Sequence, residues 1–153
     1  MSASAQMTRV RAIQWARQSI DRLDARLLLQ FASECSANAL VADPDVVLEE
    51  AQWTRFQSLV QRRAGGEPLA YLVGEAGFYG ALLAVTPDVL VPRPETEELV
   101  DWALDVLRDQ PAPTIADLGT GSGAIALTLA RARPDARVMA VDVSSVALSV
   151  AQL

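Results

Sequence analysis

The sequence predicts an α+β fold in two parts: a small N-terminal helical bundle, then a β-hairpin linker that leads into the beginning of an α/β domain. Three observations support this prediction. Apolar residues recur at helical spacing from residue 8 to about residue 63. Two short apolar runs follow, at residues 76–85 and 89–91. A glycine-rich turn then stands between an apolar strand and an apolar helix. The predicted domains are residues 1–66, 67–93 and 94–153, of which the last is expected to be incomplete.

The composition limits the classes of protein to which the chain can belong. Its 153 residues are 51% hydrophobic, which is enough for a packed core. The 13 basic residues are all arginines and 19 residues are acidic, so the net charge of −6 disfavours direct binding to nucleic acid. The single cysteine, Cys35, excludes an internal disulfide and a cysteine-based zinc site. No metal site is predicted.

The N-terminus has no features of a targeting signal. Residues 1–6 are short and uncharged, and an arginine-bearing helix follows them. No apolar run approaches the roughly 20 residues that are needed to span a bilayer. We therefore expect a cytoplasmic monomer that makes no contact with a membrane.

Three helices are predicted in the N-terminal bundle. Thr8 is placed to cap the first, Asp21 with Asp24 opens the second, and the Asp43-Pro44 pair starts the third. Gly65-Gly66 ends the third helix. Nothing in this block indicates catalysis, so it is interpreted as a packing or docking domain. Its predicted apolar stripes consist of Leu23, Leu27, Leu28 and Phe31 in the second helix, and of Val47, Leu48, Ala51, Phe56, Leu59 and Val60 in the third.

The linker is predicted to leave the bundle and form a hairpin. Residues 67–74 lead the chain away, and the runs 76–85 and 89–91, separated by residues 86–88, are expected to pair as short strands. A helix then begins near Glu95, with acids in its first turn, where the helix dipole favours negative charge. Glu95, Glu97 and Glu98 are interpreted as ordinary residues of a helix start. The predicted buried stripe of this helix is Leu99, Trp102, Ala103, Val106 and Leu107.

The glycine-rich turn predicts a cofactor site. An apolar run ends in Asp117, glycines follow at 119, 121 and 123, and a second apolar run ends in Asp142. Residues 114–142 have about the length of one βαβ unit. An acid at the end of the second strand is well placed to accept hydrogen bonds from ribose hydroxyls.

Two cofactors suit such a unit. The spacing Gly119-x-Gly121-x-x-Ala124 satisfies the relaxed dinucleotide fingerprint, but Asp117 would repel a pyrophosphate that lies over the turn. S-adenosylmethionine has no phosphate, and Asp117 attracts its cationic amino and sulfonium groups. We therefore favour S-adenosylmethionine over NAD and over a structural turn that binds no ligand.

Four motifs occur along the chain, and both their order and their spacing are informative. They are GEPLAYLVG at 66–74, FYG at 78–80, LVPRPETE at 90–97 and DLGTGSGAIAL at 117–127. Together they resemble the HemK/PrmC family, the methyltransferases of peptide chain release factors. The resemblance implies a helical N-terminal domain, a β-hairpin linker and a Rossmann-like class I methyltransferase domain. It also implies methyl transfer from S-adenosylmethionine to the side-chain amide nitrogen of the glutamine in a Gly-Gly-Gln loop.

The resemblance further implies the partner and the roles of particular residues. The protein substrate is a peptide chain release factor, and residues 92–97 pack near the cofactor in this family. By correspondence, the cofactor loop is Gly119, Thr120, Gly121, Ser122 and Gly123, the ribose-binding acid is Asp142, and the acid that faces the methionine end is Asp117.

One motif of the family has no counterpart in this sequence. The catalytic Asn-Pro-Pro-Tyr loop, which binds the glutamine amide, is absent, and Asn38 in the helical block is the only asparagine. Only two parallel strands are predicted before the last helix stops at Leu153. We therefore expect a fragment of a longer enzyme that has no catalytic residue of its own and is inactive alone. Three alternatives stay open: a non-catalytic module that docks a release factor, a fragment of a DNA adenine methyltransferase, and an NAD-dependent oxidoreductase.

Overall fold

The computed structural model describes residues 6–153 and divides the chain into two compact units, Met1–Val73 and Gly74–Leu153. Residues 1–5, where no targeting signal is predicted, lie outside the described residues. Within the described residues no helix is both long enough and apolar enough to cross a bilayer. The three domains predicted from the sequence, with boundaries after residues 66 and 93, remain a prediction.

The described part of the first unit is a helical bundle centred on its second helix. That helix packs against each of the other four. Phe56, Leu28 and Leu29 are fully buried in the shared core, and the rings of Trp15 and Trp53 meet edge to face with centroids 5.0 Å apart. The helices are α1 (Arg9–Ala16), α2 (Arg22–Ser33), α3 (Ala37–Ala42), α4 (Glu50–Ala64) and α5 (Leu69–Val73).

Two of the predicted helix ends are confirmed. The Asp21 carboxylate caps α2 by accepting hydrogen bonds from the backbone N–H groups of Leu23 and Asp24, at 2.7 and 3.1 Å. Gly65 follows the last residue of α4, as predicted. Thr8 does precede α1, but its hydroxyl makes no capping bond and is buried without a partner among the described residues.

The predicted start of the third helix at Asp43-Pro44 is wrong. Asp43 ends α3 instead, and α4 begins seven residues later, where the Gln52 side chain accepts a hydrogen bond from the Glu49 N–H. In the intervening segment, residues 44–45 form a turn and residues 46–48 pair with residues 7–9 instead of joining a helix. The Arg9 N–H donates to the Val46 carbonyl at 3.0 Å, and the Leu48 N–H donates to the Met7 carbonyl at 2.8 Å.

The predicted stripe of α2 is wrong in part. Leu28 is buried, but Leu23 is 65% exposed and Leu27 is 36% exposed. The reason is that Asp24 turns inward to pair with Arg63 of α4 at 2.5 Å, which rotates the buried face away from Leu23. The stripe predicted for α4 is confirmed at three positions, since Phe56, Leu59 and Val60 are all buried.

The expectation that residues 67–74 leave the bundle is also wrong. They form α5, whose Leu72 is buried in the same core as α2 and α4. Arg62 pairs with the Glu67 carboxylate through two hydrogen bonds of 2.7 and 2.5 Å, and Arg63 donates to the Glu67 carbonyl at 3.2 Å. These contacts hold the beginning of the segment against the end of α4.

The second unit begins with the predicted hairpin, in a shifted position. Strands β1 (Glu75–Phe78) and β2 (Ala81–Ala84) are antiparallel and are joined by Tyr79 and Gly80, whose φ angles are +48° and +73°. Two positive φ angles are typical of the type I′ turn, which matches the twist of a hairpin. The turn therefore lies inside the first predicted strand, and residues 89–91 form no strand.

A parallel βαβ arrangement completes the second unit. Ile115 pairs with Val138 in the parallel sheet, and α7 connects the two strands. Phe78, Val100, Ala124 and Leu129 form the core between the hairpin and the helices. This mixed helix-and-strand architecture agrees with the prediction. The elements are α6 (Glu95–Val106), β3 (Thr114–Leu118), α7 (Ala124–Ala132), β4 (Arg137–Val141) and α8 (Ser145–Ala151).

The predicted buried stripe of α6 is wrong in part, because Ala103 packs against the core but three of the larger members are exposed. Val100 is its fully buried residue, whereas Leu99, Trp102 and Val106 are 45%, 66% and 54% exposed. Val100 faces the core formed with the hairpin and α7. The wider apolar side of α6 therefore has no neighbour that covers it among residues 6–153.

Candidate functional site

The candidate site is the turn between β3 and α7. The backbone N–H groups of Gly119 and Thr120 both donate to the Val141 carbonyl, at 2.7 and 3.0 Å. These bonds tie the turn to the end of β4, so the carboxyl ends of the two parallel strands meet at this point. Ligands of open parallel sheets bind at that edge.

Two of the glycines leave open space over the turn. Gly119 and Gly121 have φ angles of +79° and +54°, which other residues rarely adopt, and a Cβ built on either would meet nothing within 4 Å. Gly123 has a different role. A Cβ there would lie 3.1 Å from the side chains of Ala151 and Leu127, so this glycine permits close packing against α8.

Asp117 supports the turn from within. One of its carboxylate oxygens, Oδ2, accepts hydrogen bonds from the Thr120 hydroxyl at 2.7 Å and from the Ala126 N–H at 3.2 Å. The Ala126 N–H lies in the first turn of α7, where donors have no partner within the helix. Asp117 therefore joins the strand, the turn and the helix, a role that its position in the sequence did not indicate.

Asp142 supports the turn from the second strand. Its Oδ2 accepts a hydrogen bond from the Gly121 N–H at 2.9 Å, and its Oδ1 accepts one from the Ser144 N–H at 2.9 Å. The bonds from Ser144 and Gly121 lower the pKa of the Asp142 carboxyl below its usual value, so the group is ionised at neutral pH. The cap of α8 is Ser144, whose hydroxyl oxygen accepts from the Ala147 N–H.

A cleft of about 140 Å³ lies over the turn. Sites for small molecules have volumes of roughly 300 Å³ or more, so these residues form one part of such a site. Residues 90–93 and Thr96 line one side of the cleft, with Arg93 as its one cationic side chain, and residues 119–122 line the other. Asp117 and Asp142 are not among the lining residues. The feature of the sequence that indicates a role for residues 90–96 near the cofactor is their place in the LVPRPETE motif.

Glu97 has a contact that sequence reasoning missed. Its Oε1 accepts a hydrogen bond from the Tyr79 N–H at 2.8 Å, and the Tyr79 hydroxyl donates to Asp101 at 2.6 Å. The bond to Asp101 raises the pKa of Tyr79 above its usual value. The interpretation of Glu97 as an ordinary helix-start residue is therefore wrong, because it anchors the hairpin turn to the helix that borders the cleft.

Both units match known protein families. Residues 10–74 match the family model described as the PrmC N-terminal domain, and residues 100–153 match the methyltransferase small domain. The resemblance to the HemK/PrmC family is thus confirmed. A methyltransferase domain implies S-adenosylmethionine as the methyl donor, which confirms the predicted cofactor.

Curated relatives named release factor glutamine methyltransferase are similar over most of the chain. The protein of Burkholderia pseudomallei is 50% identical over 133 residues, which are 87% of this chain and 47% of the relative. The proteins of Rhodopirellula baltica and Coxiella burnetii are each 47% identical, over 86% of this chain and 46% and 48% of their own lengths. The chain thus spans about half the length of these relatives, and it matches their N-terminal half.

Proposed function

We propose that this chain is the N-terminal half of a release factor glutamine methyltransferase. In this proposal the second unit is the beginning of a Rossmann-like class I domain, and the first unit is a docking domain. The observation that carries the proposal is the tied glycine turn, in which the Asp142 carboxylate holds the Gly121 N–H between two parallel strands. The similarity to release factor glutamine methyltransferases over 87% of the chain supports it.

The residues at the turn fit S-adenosylmethionine. The space over Gly119 and Gly121 is open, so a ligand can approach the backbone closely. A carboxylate has about four acceptor sites, so Asp142 can accept ribose hydroxyls in addition to its bonds from the Gly121 and Ser144 N–H groups. The bound cofactor would supply the activated methyl group. The residues proposed to hold it are Gly119, Thr120, Gly121, Ser122, Gly123, Asp142 and Asp117.

Methyl transfer also requires a group that orients the acceptor amide. An amide nitrogen is a weak nucleophile, so catalysis depends on positioning it and accepting its hydrogen bonds. The family's Asn-Pro-Pro-Tyr loop does this, and Asn38 is the only asparagine here. We propose that this chain is inactive by itself and that its protein substrate is a peptide chain release factor.

The cofactor assignment is tested by calorimetry on the full-length parent, with S-adenosylmethionine and with NAD. We expect S-adenosylmethionine to bind and to raise the unfolding temperature, and NAD to do neither. The Asp142→Ala change should weaken the binding of S-adenosylmethionine by about tenfold or more, because a charge-assisted hydrogen bond is lost. Asp109→Ala, at an exposed acid just after α6, is the matched control. Equal affinity in the Asp142 and control variants would exclude the ribose assignment.

The assignment of activity is tested by a methyl-transfer assay on an unmethylated release factor. We expect turnover by the parent and none by this chain. Turnover by this chain would contradict its proposed inactivity. Binding of the release factor by this chain, with no turnover by either the chain or the parent, would favour the second candidate, a non-catalytic docking module, which the absence of the acceptor loop from this chain motivates. Fragments of DNA-modifying enzymes are disfavoured by the net charge of −6.

A further inference from the structure

A groove of about 330 Å³ lies in the second unit and shares no residue with the cleft over the glycine turn. It is lined by Tyr79, Ala81 and Leu83 of the hairpin and by α7 from Leu127 to Ala132. We propose that an extended segment of the protein substrate binds here by adding a strand to β2, with an apolar side chain in the groove and a carboxylate on Arg131. This inference rests on the proposed function, because it names a second contact with the same substrate.

The walls of the groove are apolar and firmly held. Ala81 and Leu83 are two positions apart on β2, so their side chains face the same side of the hairpin. Leu127 is 46% exposed on the opposite wall. Tyr79 closes one end, and its position is held by the hydrogen bonds of its N–H to Glu97 and of its hydroxyl to Asp101. An apolar side chain that enters the groove therefore meets a preformed surface.

The edge of β2 beside the groove has backbone N–H and C=O groups that do not bond to β1. Phe78 and Ala81 close the two-residue turn, and the Val85 N–H donates to the Gly74 carbonyl at 3.0 Å. In this register the backbone groups of Leu82 and Ala84 point away from β1. Among residues 6–153, β1 is the one strand paired with β2.

The groove lies on the outer side of β2. Its lining includes the turn and β2 but no residue of β1. A chain that binds to the groove can therefore reach the outward groups of Leu82 and Ala84, as in the recognition of peptides by strand addition. This juxtaposition favours an extended polypeptide over a small molecule, which would not need the strand edge.

The charge at the rim selects an acidic segment. Arg131 is exposed and has no ion pair with any carboxylate among the described residues, unlike Arg133 nearby, which pairs with Asp135. An unpaired guanidinium beside an apolar groove complements a carboxylate next to an apolar side chain. The occupant that fits both is a flexible segment of the release factor that lies outside the methylated loop.

The test is calorimetric binding of the full-length parent to a purified release factor. Leu82→Pro removes the outward N–H and should weaken binding by about tenfold or more, while Leu82→Ala, which keeps that N–H, should change it by less than about twofold. Arg131→Glu should also weaken binding, and by less as the salt concentration rises. Arg137→Glu, at an exposed arginine of β4, is the control for charge and should leave the affinity unchanged.

Thermal unfolding of each variant shows whether it folds. If Leu82→Pro does not fold, the affinity of Arg131→Glu decides the test. The inference would be overturned if the wild-type parent did not bind, or if folded Leu82→Pro and Arg131→Glu variants of the parent both kept wild-type affinity. Neither result would contradict the proposed function if the full-length parent still methylates the release factor. A parent that neither binds S-adenosylmethionine nor methylates would instead overturn the proposed function, whatever the groove binds.

Discussion

At the scale of single residues, the two strand-end carboxylates organise the candidate site through backbone contacts. Asp117 holds the Thr120 hydroxyl and the Ala126 N–H, and Asp142 holds the N–H groups of Gly121 and Ser144. Both acids therefore hold the turn in its shape before any ligand binds. A substitution at either position removes this preorganisation together with any contact to the cofactor.

The depressed pKa of Asp142 makes a prediction about pH. Its folded pKa lies below the ordinary value of 3.8, so its contribution to stability is present above that pH and is lost as the pH falls through the folded pKa. Asp142→Asn has no such ionisation. We expect the difference in unfolding temperature between the wild type and Asp142→Asn to stay constant from pH 7 to about pH 5 and to shrink below about pH 4. A difference that does not change over this range, measured by thermal unfolding, would contradict the prediction.

At the scale of elements, long-range side-chain contacts join the ends of helices to neighbouring loops. Arg133, just after α7, donates to the Leu107 and Gln110 carbonyls at 2.5 and 2.7 Å and pairs with Asp135. It thereby holds the segment just after α6, where the Leu107 carbonyl also accepts from the Gln110 N–H at 3.1 Å. Asp135 in turn accepts from the Ala112 N–H at 2.9 Å, which holds the loop before β3.

Arg133→Met should lower the unfolding temperature of the second unit, because the Leu107 and Gln110 carbonyls and the Asp135 carboxylate lose this donor at once. The matched control is Arg108→Met. Arg108 pairs with Asp105 on the surface, where both side chains are about two-thirds exposed or more, and exposed pairs contribute little. Thermal unfolding of the two variants gives the comparison, and equal losses would contradict the role assigned to Arg133.

Glu97 couples the hairpin to α6. Glu97→Ala leaves the Tyr79 N–H without its acceptor and should destabilise the second unit by about 1 kcal/mol, whereas Glu97→Gln keeps an acceptor oxygen and should cost less. Glu98→Ala removes an exposed neighbouring acid and serves as the control. Chemical denaturation of the three variants measures the differences. If Glu97→Ala were no less stable than Glu98→Ala, the coupling would be excluded.

At the scale of the whole molecule, the two units differ in how well they bury their apolar residues. The first has a core of aromatic and aliphatic side chains around the fully buried Phe56. In the second, Trp102, Leu118 and Val141 are 66%, 77% and 47% exposed. Parallel strands in complete α/β domains are buried on both faces. The second unit is therefore the less protected part of this chain.

Hydrogen exchange should show this difference directly. We expect strong protection of backbone amides in the helices before residue 66 and little protection after Pro113, because β3 and β4 open more readily where few apolar contacts cover them. The amides of α2 and α4 are the internal reference for full protection. Equal protection of β3, β4 and these two helices would contradict the prediction.

The sequence by itself determined the features that depend on neighbouring residues. The Asp21 cap and the end of α4 at Gly65 follow from hydrogen bonds between residues a few positions apart. The positive φ angles of the turn at 119–123 follow from the backbone freedom of its glycines. The family also follows from the sequence, because its short motifs occur along the chain in a characteristic order and at characteristic distances from one another.

Only the tertiary structure decided which residues meet across long stretches of chain. Residues 46–48 pair with residues 7–9 instead of joining a helix, and Asp24 turns inward because Arg63 lies opposite. Glu97 bonds to the N–H of Tyr79, 18 residues away, and Asp142 bonds to the N–H of Gly121, 21 residues away. Helical spacing and capping rules describe one element at a time. The buried face of a helix and the partner of a carboxylate depend on the elements that pack beside them.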